Sequence, residues 1–115
     1  MRKALLALLF TAAAGPAFAH AILVESTPAA QGHVKAGALT ATLRYNSRID
    51  AARSKLTLTG PGGTTIRLAV QAGDAQDSMR AMLTLVPGAY TLRWQVLATD
   101  GHITRGTVAF TADKP

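Results

Sequence analysis

Apolar and polar residues alternate without a break in Tyr90-Thr-Leu-Arg-Trp-Gln-Val96. The same period of two recurs in Leu39-Thr-Ala-Thr-Leu-Arg-Tyr45, in Lys55-Leu-Thr-Leu-Thr59 and in Thr65-Ile-Arg-Leu-Ala-Val70. Successive side chains of a β-strand point to opposite faces, so this alternation predicts strands with one buried face. Trp94 lies on the apolar face of the first stretch, and we therefore predict that it is a core residue.

Three further segments complete an all-β prediction. Strands are expected near 21–24, over Met79 to Leu85 and over Gly106 to Thr111, which brings the count to about seven. Turn signals separate the strands, with a hairpin loop at Gly60-Pro-Gly-Gly63 and a polar loop from Gly73 to Ser78. The expected fold is therefore an Ig-like or Greek-key β-sandwich or barrel.

The composition excludes several classes of protein. None of the 115 residues is Cys, which excludes disulfides, thiolate metal clusters and a cysteine nucleophile. Any metal must therefore bind nitrogen, oxygen or thioether sulfur. The formal net charge is +6, but the basic residues are scattered and only Arg2 and Lys3 are adjacent. We therefore expect no nucleic-acid partner.

Residues 1–19 have the pattern of a secretory signal peptide. A basic start, Met1-Arg2-Lys3, precedes an apolar run from Ala4 to Ala14 and the cleavage motif Ala17-Phe18-Ala19. The run is shorter than the roughly 20 apolar residues that span a bilayer. We therefore expect residues 20–115 to form one exported domain that is not embedded in a membrane. With no obvious exposed apolar patch, the default expectation for this domain is a monomer.

Cleavage after Ala19 would make His20 the first residue of the mature chain. A terminal histidine offers its α-amine and one imidazole nitrogen, which can close a chelate ring on a single metal ion. Asp100-Gly-His102 follows the Trp94 strand, and an extended backbone there would present a carboxylate and an imidazole on one side. Asp-Gly is also a common turn dipeptide, so this pair alone indicates little. Together with His20 it forms a nitrogen and oxygen donor set that suits tetragonal Cu(II).

The same residues resemble a known family. Three stretches carry the resemblance: His20-Ala-Ile-Leu-Val-Glu-Ser26-Thr-Pro28, Gly88-Ala-Tyr90-Thr-Leu-Arg-Trp94-Gln-Val96 and Thr99-Asp100-Gly101-His102-Ile-Thr-Arg-Gly106. In order and spacing they are similar to the CopC copper-resistance family. The resemblance implies a small periplasmic Greek-key β-sandwich that binds Cu(II) through the His20 amine and ring, Asp100 and His102. It also implies an inner-membrane CopD protein as the usual counterpart.

Two departures from the family pattern bear on the ligands. One branch of the family has a carboxylate where this chain has Ser47, which leaves the fourth ligand open between water and Asp50. Some relatives bind Cu(I) in a methionine-rich loop, whereas the mature chain has only Met79 and Met82. Three residues apart on a strand, these two face opposite sides. We therefore predict one Cu(II) ion per chain and no dedicated Cu(I) site, with Met79 in the core.

His33 is the remaining histidine. It follows Gln31 and Gly32 in a region with turn character and has no carboxylate next to it in the sequence. We expect an exposed loop histidine, although proximity to the chain start would allow it to act as an extra ligand.

The function that these features predict is a periplasmic Cu(II) protein, not an enzyme, that sequesters or carries copper. Imidazole and amine ligands must be unprotonated, so the affinity should fall as the pH drops. Two alternatives remain open: a histidine-brace copper monooxygenase and a metal-free Ig-like module that binds another protein. Import and sequestration need the same ligands, so the direction of copper movement does not follow from the sequence.

Overall fold

The computed structural model describes residues 21–115, which form nine β-strands in two sheets. The predicted signal peptide and His20 lie outside these residues. In chain order the strands are β1 Leu23–Thr27, β2 Gly32–Lys35, β3 Gly37–Tyr45, β4 Lys55–Thr59, β5 Thr65–Leu68, β6 Gln71–Ala72, β7 Ser78–Leu85, β8 Gly88–Leu97 and β9 Ile103–Asp113. Two single-turn 3-10 helices span Ala51–Arg53 and Pro61–Gly63. Across 21–115, none of the helices has the length and apolar character needed to cross a bilayer.

The strands form a four-stranded sheet in the order β1-β3-β7-β6 and a five-stranded sheet in the order β2-β9-β8-β4-β5. Neighbouring strands are antiparallel except β2 and β9, which run parallel. The division into two sheets decides between the predicted alternatives, since a barrel would be one closed sheet. The all-β sandwich prediction is confirmed.

The strands differ from the predicted set mainly at short elements. Strands β2 and β6 were not expected, because four and two residues are too few to display a period of two. Strand β9 extends beyond the predicted Gly106 to Thr111 at both ends, and β5 ends at Leu68. The strand expected near 21–24 begins at Leu23 and continues to Thr27. The longer alternating segments are strands, as expected.

The apolar faces of the two sheets meet in one core. Trp94 on β8 keeps 7% of its surface exposed and Tyr45 on β3 keeps none, which confirms Trp94 as a core residue. Their rings pack edge to face with centroids 5.2 Å apart. Gly106 on β9 pairs with Trp94, and a Cβ at that position would overlap the indole ring. The close approach of β9 to Trp94 therefore requires a glycine.

Candidate metal centre

Asp100 and His102 lie in the loop that joins β8 to β9. The Asp100 carboxylate accepts a hydrogen bond from the backbone N–H of His102 at 3.0 Å, and its Oδ1 lies 3.1 Å from His102 Nδ1. Gly101 between them has a φ of 95°, in the left-handed region. The expected extended backbone is therefore wrong at this point, because the segment is a turn. The turn nevertheless brings the carboxylate and the imidazole together.

This pair has the spacing of two ligands of one metal ion. Bonds of about 2.0–2.1 Å at a right angle place adjacent ligand atoms roughly 2.9 Å apart. The separation of 3.1 Å between Nδ1 and Oδ1 is close to that value. Both side chains are partly exposed, at 45% for His102 and 39% for Asp100, so an ion can reach them from solvent.

Three chain segments are hydrogen-bonded to one another around this loop. The Thr104 hydroxyl donates to the Ala21 carbonyl at 2.8 Å, which ties the first described residue to the start of β9. Ile22 exchanges two bonds with Asn46, donating its N–H to Oδ1 at 2.8 Å and accepting from the Asn46 N–H at 3.0 Å. The Thr99 N–H donates to the Arg48 carbonyl at 3.2 Å. The segments 21–22, 46–48 and 99–104 therefore converge at one end of the sandwich.

Ala21 is held firmly at this end. It is buried, with 1% of its surface exposed, and its carbonyl is bound by Thr104, two residues beyond His102. His20 is the residue bonded to Ala21, and it lies outside the described residues. The described chain is therefore fixed at Ala21, close in the fold to the loop that holds Asp100 and His102.

The two candidates for a fourth ligand differ in their surroundings. Asp50 caps the 3-10 helix, where its Oδ1 accepts from the Arg53 N–H at 3.2 Å and its Oδ2 lies 3.7 Å from Arg53 Nε. Residues 21–115 contain no group of three or more His, Asp or Glu side chains that could hold a metal, so Asp50 does not join Asp100 and His102. Ser47 lies within the converging segment, and its buried Oγ has no hydrogen-bond partner among residues 21–115.

Two aromatic side chains lie in the core at this end of the molecule. Within the described part of the chain, the Tyr45 hydroxyl and Trp94 Nε1 are buried without hydrogen-bond partners. Burial raises the pKa of the Tyr45 phenol far above its ordinary value, so the phenol stays neutral at physiological pH. Tyr45 is therefore not a phenolate ligand.

His33 is not the loop histidine that the sequence predicts. It lies on β2, which pairs in parallel with β9, and its Nδ1 is 3.0 Å from Asp113 Oδ1 and 3.1 Å from Oδ2. The absence of a neighbouring carboxylate was inferred from local sequence, and that inference is wrong because the partner lies 80 residues away. His33 is exposed, as expected.

The two methionines of β7 face opposite sides, as their spacing predicts. Met79 is fully buried and belongs to the core. Met82 is 63% exposed, and its sulfur accepts a hydrogen bond from the Thr40 hydroxyl at 3.4 Å. The two sulfur atoms therefore cannot form a joint thioether site within this strand.

Sequence reasoning missed Asn46 and Thr104, which anchor the start of the described chain. Each bonds to a residue far away in sequence, 24 positions for Asn46 and 83 for Thr104. No local pattern signals such pairs. An asparagine directly after a strand and a threonine beside a candidate ligand are also ordinary in turns and strands.

A family model for the CopC domain matches residues 23–113. The chain belongs to the CopC family. It is 33% identical over 110 residues to Protein YobA of Escherichia coli K12, covering 91% of this chain and 89% of that protein. It is 30% identical over 107 residues to Copper resistance protein C of Xanthomonas campestris pv. juglandis, covering 85% and 84%.

The fold also matches solved structures of this family. CopC from Methylosinus trichosporium OB3b superposes with a TM-score of 0.75 at 28% identity, covering 83% of this chain and 95% of that one. Membership in the CopC family and the sandwich fold are thus supported by independent comparisons of sequence and structure.

Proposed function

We propose that this CopC-family protein binds one Cu(II) ion per chain and sequesters or carries copper in the periplasm. The ligands would be the α-amine and imidazole of His20, the Asp100 carboxylate and the His102 imidazole. The observation that carries the proposal is the convergence of the chain segment starting at Ala21 with the loop that holds Asp100 and His102.

The donor chemistry supports copper. Amine, imidazole and carboxylate groups favour Cu(II), which stands at the top of the divalent affinity order and accepts a tetragonal arrangement. Among residues 21–115, no third His, Asp or Glu side chain groups with Asp100 and His102, and the Tyr45 phenol stays neutral. Water would then complete the coordination.

The comparisons support the biological setting. One similar protein is named Copper resistance protein C and another solved relative is PcoC, a copper resistance protein from Escherichia coli. The signal-peptide pattern of residues 1–19 agrees with export to the periplasm. An inner-membrane protein of the CopD type would be the counterpart that receives or supplies copper. The role proposed is transport or storage rather than catalysis, and the protein acts as a monomer.

A Cu(II) titration of the protein comprising residues 20–115 tests this proposal. Electron paramagnetic resonance with a competing chelator should reveal one tight tetragonal site with nitrogen ligands. The variant His20→Ala should lose that signal while keeping the fold, as measured by circular dichroism. Weak binding that is indifferent to His20→Ala would refute the proposed site and favour a metal-free binding module.

A further inference from the structure

The outward face of the five-stranded sheet carries a cluster of positively charged side chains. The pairing register aligns its exposed side chains in rows across the strands. One row contains Lys55 of β4, Gln95 of β8 and Arg105 of β9. The next row contains Arg67 of β5 and Arg93 of β8, with Thr57 of β4 between them. We call Lys55, Arg67, Arg93 and Arg105 the basic face.

The four cations of the basic face make no ion pair with any carboxylate in residues 21–115. Arg105 is oriented by a neutral partner, since its Nε donates to Gln95 Oε1 at 2.8 Å. Among the outward strand residues of this sheet, the acidic one is Asp113, which lies at the far end with His33.

The outward face of the four-stranded sheet is built differently. Arg44 of β3 lies 3.0 Å from Glu25 of β1, and Arg80 of β7 lies 3.2 Å from Asp74. Each arginine on that face therefore has a carboxylate of its own. The unpaired charges are confined to one of the two faces, so they do not simply follow from the positive net charge of the chain.

The positive charges of the basic face are close enough to repel one another and to attract a negatively charged partner together. Neighbouring strands are about 4.8 Å apart, so Lys55 and Arg105, two strands apart, have backbones separated by about 10 Å. This is close to the screening length of about 8 Å at physiological ionic strength. A surface of this kind attracts a negatively charged partner and accelerates its association.

The make-up of the face favours an acidic protein segment over a membrane surface. Threonines lie between the cations, at positions 57 and 107 in the second row. A flat array of arginines and hydroxyls can bind carboxylates through paired hydrogen bonds. The outward strand positions of this sheet carry no Trp, Tyr or Phe, the aromatic residues that anchor proteins at a lipid interface.

The basic face adjoins the loop that holds Asp100 and His102. Arg105 is three residues beyond His102 in the same hairpin, and Ile103 between them is 50% exposed. A protein bound to the basic face would therefore lie beside the proposed copper ligands. We propose that the basic face docks a carboxylate-rich segment of a partner protein. The suggestion that this partner exchanges copper rests on the proposed function, whereas the docking itself does not.

Copper-free protein tests the docking separately from the metal site. The probe is a fluorescently labelled peptide of ten glutamates, titrated at low and at physiological salt. The variant Arg93→Gln/Arg105→Gln should weaken binding about fivefold, because two charge contacts are lost. The variant Arg44→Gln/Arg80→Gln removes the same net charge from the other face and should change binding less than about twofold. Circular dichroism of both variants checks the fold.

A second arm replaces the peptide with vesicles containing phosphatidylglycerol. Salt-sensitive peptide binding that depends on Arg93 and Arg105 supports the proposal. Equal losses in the two double variants would overturn it, because net charge alone would then explain the binding. Binding to vesicles through the basic face without binding to the peptide would also overturn it, in favour of a membrane surface. Absence of peptide binding even at low salt would refute it directly.

Discussion

Residues 21–115 contain two histidine–aspartate pairs of nearly equal geometry, at different ends of the fold. His102 Nδ1 lies 3.1 Å from Asp100 Oδ1, and His33 Nδ1 lies 3.0 Å from Asp113 Oδ1. Both pairs are partly exposed, and both have the spacing of adjacent metal ligands. Distance and exposure therefore do not distinguish a copper site from a surface ion pair.

The surroundings of the two pairs do differ. The Asp100 and His102 pair lies in a loop to which the segments starting at Ala21 and Asn46 are hydrogen-bonded. The His33 and Asp113 pair joins the edge strand β2 to the end of β9. Within residues 21–115, the segment that begins at Ala21 is hydrogen-bonded beside the first pair and not beside the second. Under the proposed function, copper binds at the first pair, and the second pair is a surface contact.

The largest expected difference comes from removing one imidazole from each pair. The variant His102→Ala removes a proposed ligand and should weaken Cu(II) binding by more than about 100-fold. Losing a residue that only hydrogen-bonds to a ligand costs about 10- to 100-fold. The variant His33→Ala should leave the affinity within about twofold. Competition with a chelator measures both. Comparable losses of Cu(II) affinity in the two variants would contradict the proposal that copper binds at His102 and not at His33.

Removing the charge of each carboxylate should give the next largest effect. In Asp100→Asn the side-chain oxygen can still accept from the His102 N–H, so the turn is retained while the anionic ligand is lost. We expect about 10- to 100-fold weaker Cu(II) binding. Asp113→Asn is the matched control and should not change the titration. Unchanged binding by Asp100→Asn would remove Asp100 from the ligand set.

A carboxylate introduced at residue 47 tests whether this position can reach a metal ion held by the first pair. Ser47 lies between Asn46, which bonds to Ile22, and Arg48, which bonds to the β8–β9 loop. Its buried Oγ has no partner in the described part of the chain. Ser47→Glu should add a carboxylate ligand and tighten Cu(II) binding about tenfold, equivalent to about 1.4 kcal/mol. Ser47→Gln has the same size without the charge and should bind like the parent protein. Equal affinities for Glu and Gln would place residue 47 outside the coordination sphere.

The smallest expected effect concerns the anchor of the chain start. Thr104→Val removes the hydroxyl that binds the Ala21 carbonyl and should lower the free energy of unfolding by about 1 kcal/mol. It should also weaken Cu(II) binding several-fold, because Ala21 positions the residue before it. Thr107→Val, at an exposed position of the same strand, is the control. Urea unfolding measures the stability, and the copper titration measures the affinity. An unaltered affinity would mean that the Thr104–Ala21 hydrogen bond does not help to position a copper ligand.

The sequence predicted the sandwich because long strands with one buried face display their period directly. Leu39 to Tyr45 and Tyr90 to Val96 are examples, and both are strands with an alternating burial pattern. Strand β2 escaped prediction because its four residues are too few to display a period of two, and its pairing partner lies far along the chain. The partnership of His33 with Asp113 was missed for the same reason.

The candidate site was predictable where its chemistry is local. Asp100, Gly101 and His102 are consecutive. The two side chains lie close together although the backbone forms a turn and not the expected extended segment. The bonds of Asn46 to Ile22 and of Thr104 to Ala21 could not be foreseen, since they depend on how the two sheets pack. The part played by His20 stays a prediction, because this residue lies outside the described range.

The most direct test of the proposed copper site is to place one alanine before His20 in the protein comprising residues 20–115. This extension keeps both imidazoles, the Asp100 carboxylate and the fold, and removes only the terminal amine from the chelate ring. Chelator competition followed by paramagnetic resonance should show Cu(II) binding weakened by more than about 100-fold, with an altered nitrogen signature. Binding as tight as that of the protein beginning at His20 would contradict the account.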